Sequence, residues 1–336
     1  MFKQTSSKFT SNRRSTLRHL VVASAATLLP IARAQSNYPS KPVKVIVPFP
    51  PGGTTDIVAR NVFDVISKQT GQAFVIDNKA GAAGVIGTSE LQRAAPDGYT
   101  LGIATTSTHA VIPALNLAVK YDPSVDFTAI GQLVEAPGVL VCPANAPYSS
   151  LGELIAYAKK QPGKLSYCSA GVGSIGHLWT EIFKSASGVF MVHIPYRGAA
   201  QAQSDLVSGI VQLGFDQIAS ALTLINSGKL RALAVGSSER LAVLPNTPTF
   251  KELGYPAVTA SSWFGVVGPA KIPASIVDKL NGLINGLMSN PEFTKKLAAQ
   301  GLFPKTDTPL AFSNFMRDET NRLRAVAKKA NIALDT

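Results

Sequence analysis

Two cysteines, four histidines and 15% charged residues are a thin supply of reactive chemistry for a chain of 336 residues. Neither Cys142 nor Cys168 stands in a C-x-x-C or metal-ligand spacing, which disfavours redox and zinc centres. His19 falls in an N-terminal leader-like segment. His109, His177 and His193 remain, and they are read first as hydrogen-bonded structural groups. No segment approaches the roughly 18 consecutive apolar residues of a spanning helix. Positive charge is also scarcer than it looks. Lys3, Lys8, Arg13, Arg14, Arg18 and Arg33 stand in residues 1–34 with no acid among them, and they account for half of the formal net charge of +12. No later run interleaves Lys or Arg with aromatics, so the footprint of a nucleic-acid binder is missing. No cofactor, metal or nucleic-acid partner is expected. At 46% hydrophobic residues, the chain has ample material for buried cores.

The basic N-terminal segment explains itself. Met1 to His19 is positive and acid-free, Leu20 to Ile31 is apolar and small, and Ala32-Arg33-Ala34 is a small-x-small cleavage signal before Gln35. This pattern is that of a secretory signal peptide, residues 1–34, cleaved near Ala34. Asn12-Arg13-Arg14-Ser15-Thr16-Leu17 also resembles a twin-arginine signal, although Thr16 fits it poorly, so both export routes stay open. In an oxidising compartment Cys142 and Cys168 are either bridged, worth roughly 3–4 kcal/mol on a chain-entropy estimate, or two buried free thiols.

The chain is organised around residues 44–60. An apolar β-branched run, Val45-Ile46-Val47, gives way to Pro48-Phe49-Pro50-Pro51-Gly52-Gly53-Thr54-Thr55-Asp56 and then to helical spacing. Glycines let the backbone approach a guest, and a helix start directs unpaired N–H groups and a positive dipole at it. An anion cradle and a plain helix cap both fit. Similar loops recur at the exits of later strands: Asp77 to Gly84, Thr105 to His109, Ala170 to His177, Tyr196-Arg197-Gly198 and Asp216-Gln217. Strands alternating with helices predict mixed sheets flanked by helices, with ligands beyond the carboxyl ends of the strands. Ser150-x-x-Glu153 is a capping box for a helix over 151–160. Residues 129–142 read as extended segments interrupted at Pro137-Gly138, where the chain crosses to a second domain. Long helices over 275–288, 291–300 and 309–329 return to the first.

Two patterns invite enzymatic readings. Gly171-x-Gly173-x-x-Gly176 has the form of a dinucleotide fingerprint, but the acid expected about 20 residues on is absent. Ser174 with His177 or His193 and Asp216 assembles on paper into a hydrolase triad, although Val172 occupies the first glycine position of a nucleophile elbow. A secreted serine hydrolase acting on small esters is therefore the competing class.

Tyr38-Pro39-Ser40-Lys41-Pro42, the Pro48 to Arg60 stretch, Pro96-Asp97-Gly98-Tyr99-Thr100, Tyr121-Asp122-Pro123, Pro162-Gly163-Lys164-Leu165, His193 to Gly198 and Gly228 to Val235 together resemble the Bug-type periplasmic solute receptors of tripartite tricarboxylate transporters. The resemblance implies a non-enzymatic, monomeric periplasmic receptor with a two-lobed Venus-flytrap fold of periplasmic-binding-protein type II. One lobe would comprise residues 35–138 and 262–336, the other 139–261. The lobes would close on a small carboxylate and deliver it to transmembrane permease subunits; a role in signalling to a membrane sensor leaves the same sequence marks. Carried over by position, the resemblance and the loop reading place the ligand site at Phe49, Gly52, Gly53, Thr54 and Thr55, at Ala82, Ala83 and Gly84, and at Thr105, Thr106 and Ser107. The second lobe would add Gly173, Ser174, His177, Tyr196 and Asp216. The chain departs from the family's Asn-Arg-Pro-Gly-Ala-Gly-Gly loop at 78–84 and from its Asp-Asn-Leu-Pro-Ser run at 216–220.

Overall fold

Val43–Val47 is buried apart from Lys44, as expected for a strand covered on both faces. It forms β1, the centre of a parallel trio with β2 (Phe74–Asn78) and β3 (Thr100–Thr105). Helix α1 (Thr54–Thr70) links β1 to β2 and stops where Gly71 takes the left-handed conformation that L side chains resist. A 3₁₀ turn (Ala82–Gly84) and α2 (Val85–Gln92) lead on to β3. The hydroxyl-rich segment after β3 is not a loop. It winds into a π-helix (Ser107–Val111) and a short α3 (Ile112–Ala114).

The structure, a computed structural model, describes residues 1–5, 38–115 and 119–332. The apolar core and cleavage signal of the expected leader lie outside the described residues. The described residues from Pro39 onward form one compact unit.

Pro137-Gly138 does not interrupt the chain. Strand β4 runs unbroken from Phe127 to Pro143. Its partners change at this point: up to Pro137 it pairs with β9 (Ser261–Pro269), and from Gly138 onward with β7 (Leu213–Gln217) and β8 (Leu230–Val235). The result is two mixed sheets sharing one strand. The first has the order β2-β1-β3-β9-β4, with the short β10 (Phe303–Pro304) added to β4. The second has the order β6-β5-β7-β4-β8, where β5 is Ser166–Ser169 and β6 is Val192–Pro195. Each sheet thus has a parallel trio with its earliest strand in the middle, then an antiparallel strand. At the changeover three backbones are laced together. Gly138 N–H donates to Ala260 O (2.9 Å), Gly236 N–H to Gly138 O (2.8 Å) and Ala260 N–H to Gly236 O (3.0 Å). A Cβ on Gly138 would stand 2.8 Å from the Ala260 Cβ, and one on Gly236 only 2.2 Å; the approach is possible because neither has one.

The remaining helices flank the sheets: α4 (Leu151–Lys160), α5 (Ile175–Ser187), α6 (Ala199–Val207), α7 (Ile218–Asn226), α8 (Ala274–Met288), α9 (Pro291–Ala298) and α10 (Pro309–Lys329). The capping box at α4 forms with a shift. Ser150 Oγ accepts from Glu153 N–H (3.2 Å), while the Glu153 carboxylate reaches past residue 150 to the backbone N–H of Ser149 (2.6 Å). The last helices return to the first sheet, with α8 and α10 against β4. Among the described residues no helix is long and apolar enough to cross a membrane.

The two cysteines are both free and buried, so the disulfide alternative does not hold. The register explains it. Cys168 and Val141 both flank Gly214 on β7 and share one transverse row, so Cys142, one residue further along β4, points to the other face. A strand and the thickness of the sheet separate the thiols. Burial raises Cys142 to about 11 and Cys168 to about 12, which keeps both as inert thiols.

Candidate functional site

Between the two sheets, at the carboxyl ends of β1, β3, β5 and β7, lies a cavity of about 60 Å³. Four helices begin at its wall: α1 with Gly53, Thr54 and Thr55, α5 with Ser174, Ile175 and Gly176, α6 with Ala199, and α7 after Asp216 and Gln217. The first N–H groups of a helix lack intrahelical partners and carry the positive end of its dipole. At α4, α9 and α10, side chains of Ser150, Asn290 and Thr308 cap those groups; at α1, α5, α6 and α7 the N-cap residue's own side chain makes no such bond. Ser174 holds the N-cap position of α5 and is a residue type suited to capping, yet its Oγ is buried without a hydrogen-bond partner, as is Thr54 Oγ1 across the cavity. Among the described residues no lysine, arginine or histidine lines the wall.

The structure brings Phe49, Gly53, Thr54, Thr55, Thr105, Thr106, Ser107, Ser174 and Asp216 together on this wall. Several hydroxyls already have work. Thr105 pairs with Thr108 (3.1 Å), Thr106 Oγ1 accepts from Trp263 N–H (2.7 Å), and Ser107 Oγ accepts from Ile175 N–H (3.0 Å), reaching across from the first sheet's side to the start of α5.

The other expected residues stand outside the wall, each for a local reason. Gly52 N–H donates back to Asp56 (3.1 Å). Ala82 and Ala83 take left-handed backbone angles (φ 47° and 51°), a strain of about 1–2 kcal/mol each for non-glycine residues. They set Ala83 against Gly171 of the opposite side, where an added Cβ would lie 3.3 Å from the Ala83 nitrogen. Gly84 packs behind Phe49, with room for no Cβ beside Thr108. Gly173 N–H points at His177 Nδ1 (3.4 Å), and His177 is stacked on His193 with ring centroids 3.8 Å apart. Tyr196 turns its hydroxyl to Asp205 (2.8 Å), and burial and that carboxylate raise it to about 12.

Asp56 is not a ligand group either. Its carboxylate accepts from Gly52 N–H, from Arg60 Nε (2.9 Å) and from Asn78 Nδ2 (3.0 Å), and Asn78 also donates to Phe49 O (2.9 Å). Burial pulls its pKa up, but these hydrogen bonds outweigh it and hold the carboxyl below the usual range. The acid of the Pro-Pro-Gly-Gly-Thr-Thr-Asp run staples the turn that aims α1 at the cavity.

A catalytic triad does not assemble. Ser174 Oγ has no partner, His177 Nδ1 accepts from Gly173, and His193 Nε2 pairs with Ser169 Oγ (2.7 Å). Asp216 is committed to Gln217 N–H (2.8 Å), Ser220 Oγ (2.7 Å) and Gln203 Nε2 (2.5 Å). Burial raises the Asp216 pKa against the pull of those bonds. Among the described residues no group of three or more His, Cys, Asp or Glu side chains is placed to hold a metal.

The wall contains residues that reading strand-end loops does not reach: Val141, Cys168 and Gly214 inside strands, Ala202, Gln203 and Leu206 along α6, and Trp179 and Phe215. The one signal for them was period two: Gly214 stands two before Asp216 on the same face of β7.

Residues 58–332 match the model of the TctC family, described as the tripartite tricarboxylate transporter family receptor. The chain belongs to this receptor family. Protein BugT of Bordetella pertussis is 36% identical over 316 residues, covering 94% of this chain and 96% of BugT. Among solved structures, R. palustris Rpa4515 with adipate is 36% identical with a TM-score of 0.86, covering 88% of this chain and 99% of that one. MatC (Rpa3494) from Rhodopseudomonas palustris with bound malate is 31% identical with a TM-score of 0.82, covering 86% and 99%. The receptor shares the two-lobed α/β fold of these binding proteins, and it is a solute-binding protein rather than an enzyme.

Proposed function

We propose that the receptor captures a small carboxylate between lobes formed by residues 35–138 with 262–336 and by residues 139–261, and delivers it to the membrane permease of a tripartite transporter from the periplasm, its leader removed near Ala34. The observation that carries the reading is the set of four helix starts without an N-cap side-chain bond, converging on a cavity with two unpartnered hydroxyls and, among the described residues, no cationic side chain. Such a wall suits an anion small enough to accept several N–H and O–H donors at once. Adipate in Rpa4515 and malate in MatC are anions of this kind.

The laced backbones at Gly138, Gly236 and Ala260 are the natural pivot, since they are where the chain passes between sheets. Closure requires a ligand that interacts better with the closed form than the open one, and Ser107 meeting the start of α5 supplies a place where both sides act together. Thermal melts of the purified protein with a panel of carboxylates and esters test this. A carboxylate-dependent rise in melting temperature, without turnover, is expected. Ester turnover abolished by Ser174→Ala would instead support the hydrolase.

A further inference from the structure

The cavity wall has two parts. One is made of helix starts and hydroxyls, the other of a single transverse row of the second sheet: Val141, Gly214 and Cys168, side by side in register. Ala202 and Leu206 of α6 close over this row. Gly214 makes the row possible, because a Cβ there would stand 2.7 Å from Cys168 Sγ and 3.6 Å from Leu206 Cδ2. The thiol lies over the glycine as a small apolar group. The acid on this wall is Asp216, two residues along β7 on the same face, and among the described residues no lysine, arginine or histidine lines the wall.

Resting on the carboxylate reading above, we propose that the receptor selects monocarboxylates with an apolar tail: the carboxylate lies at the helix starts and the tail fills the recess over Val141, Gly214 and Cys168. A second carboxylate in the recess would be buried on apolar atoms beside a like-charged acid, without a counter-ion. A hydrocarbon tail gains by leaving water there. The recess thus sets specificity against dicarboxylates by repulsion as much as by fit.

Isothermal titration at neutral pH with hexanoate and adipate, which share a six-carbon chain and differ by one carboxylate, is the test. Hexanoate should bind about tenfold tighter or more. Equal or tighter adipate binding overturns the tail assignment and leaves the carboxylate site standing; no binding by either, or by propionate, overturns both. Ala202→Leu, which narrows the recess from the helix side, should lower the hexanoate-to-propionate affinity ratio by about tenfold. Leu206→Ala, which deepens it, should move the preferred chain length upward. An unchanged ratio in both folded variants overturns the placement of the tail. Ratios of affinities are insensitive to a general loss of stability, so a merely structural role for α6 would not mimic these shifts.

Discussion

The two sheets share one strand order, but their contributions to the cavity differ in kind. The first side brings hydroxyls and a glycine at helix starts: Gly53, Thr54 and Thr55, then Thr105, Thr106 and Ser107. The second brings Ser169, Ser174 and Asp216, but also Ala199, Ala202, Leu206, Val141 and Cys168, and so most of the shape. One topology thus carries two jobs. Strand-end loops are placed by the fold, whereas the side chains one row deeper are free to be small or large without disturbing it.

The difference can be broken most strongly where the two sides touch. A Cβ at residue 198 would stand 2.4 Å from the Pro50 ring on the opposite side, so Gly198→Val should wedge the closed form apart. Carboxylate affinity is expected to fall by about 100-fold, from a clash of roughly 1–3 kcal/mol plus lost closure contacts. The melting temperature without ligand should move little. Titration and a thermal melt of the same preparation check both halves of the statement.

A smaller effect distinguishes the polar walls. Thr54→Val removes an unpartnered hydroxyl at nearly constant volume, so stability should hold or rise slightly. Affinity should fall about tenfold through the loss of a hydrogen bond to a charged group. Ser174→Ala, on the shape-giving side, should cost less if the first side holds the carboxylate; an equal loss would mean that the head group is shared.

A third effect is on pH, and it acts on stability rather than on affinity. Burial lowers His109 and His177 to about 3 and His193 to about 4, against about 6.5 in an unfolded chain. As pH falls from about 6.5 towards 4, the unfolded chain binds protons that the folded one does not. Stability therefore declines, by up to about 1.4 kcal/mol per pH unit for each histidine. The raised pKa of Asp216 works the other way and offsets part of this. Urea unfolding at pH 7 and 5 should show the loss, and His177→Asn with His193→Asn should remove about two-thirds of it, leaving the share of His109 on the first side.

Much of this was legible in the sequence. The strands and helices follow hydrophobic period, and turn and cap residues mark their ends, as Gly71 and Ser150 do. The polar strand-end loops were visible because hydroxyls and glycines cluster there. What was not legible depended on which face a residue takes and what the facing element offers. Asp56 was read only as part of a helix cap, and its tie to Asn78 of β2 depends on a strand that the local sequence does not place beside it. Ala83 belonged to a glycine-rich loop like the others, yet it meets Gly171 rather than the cavity. Cys142 and Cys168 were candidates for a bridge until the register set them on opposite faces. Pro137-Gly138 looked like a break because proline and glycine weaken strands, whereas the strand changes partners there without ending.

That change of partners also orders events in time. Strands β5 to β8 follow β4 in unbroken succession, so the second sheet has all its members once residue 235 is available. In the first sheet the place between β3 and β4 belongs to β9, which is Ser261–Pro269. Until that segment arrives, β3 and the first part of β4 each present an unpaired edge, and an intervening lobe's length of chain must be threaded past before they join. Long-range pairing of this sort is slow to form and exposes aggregation-prone edges meanwhile. The first side, which supplies Thr54, Thr55, Thr105, Thr106 and Ser107 to the cavity, is therefore the last to be assembled, and the wall is complete only once β9 is in place.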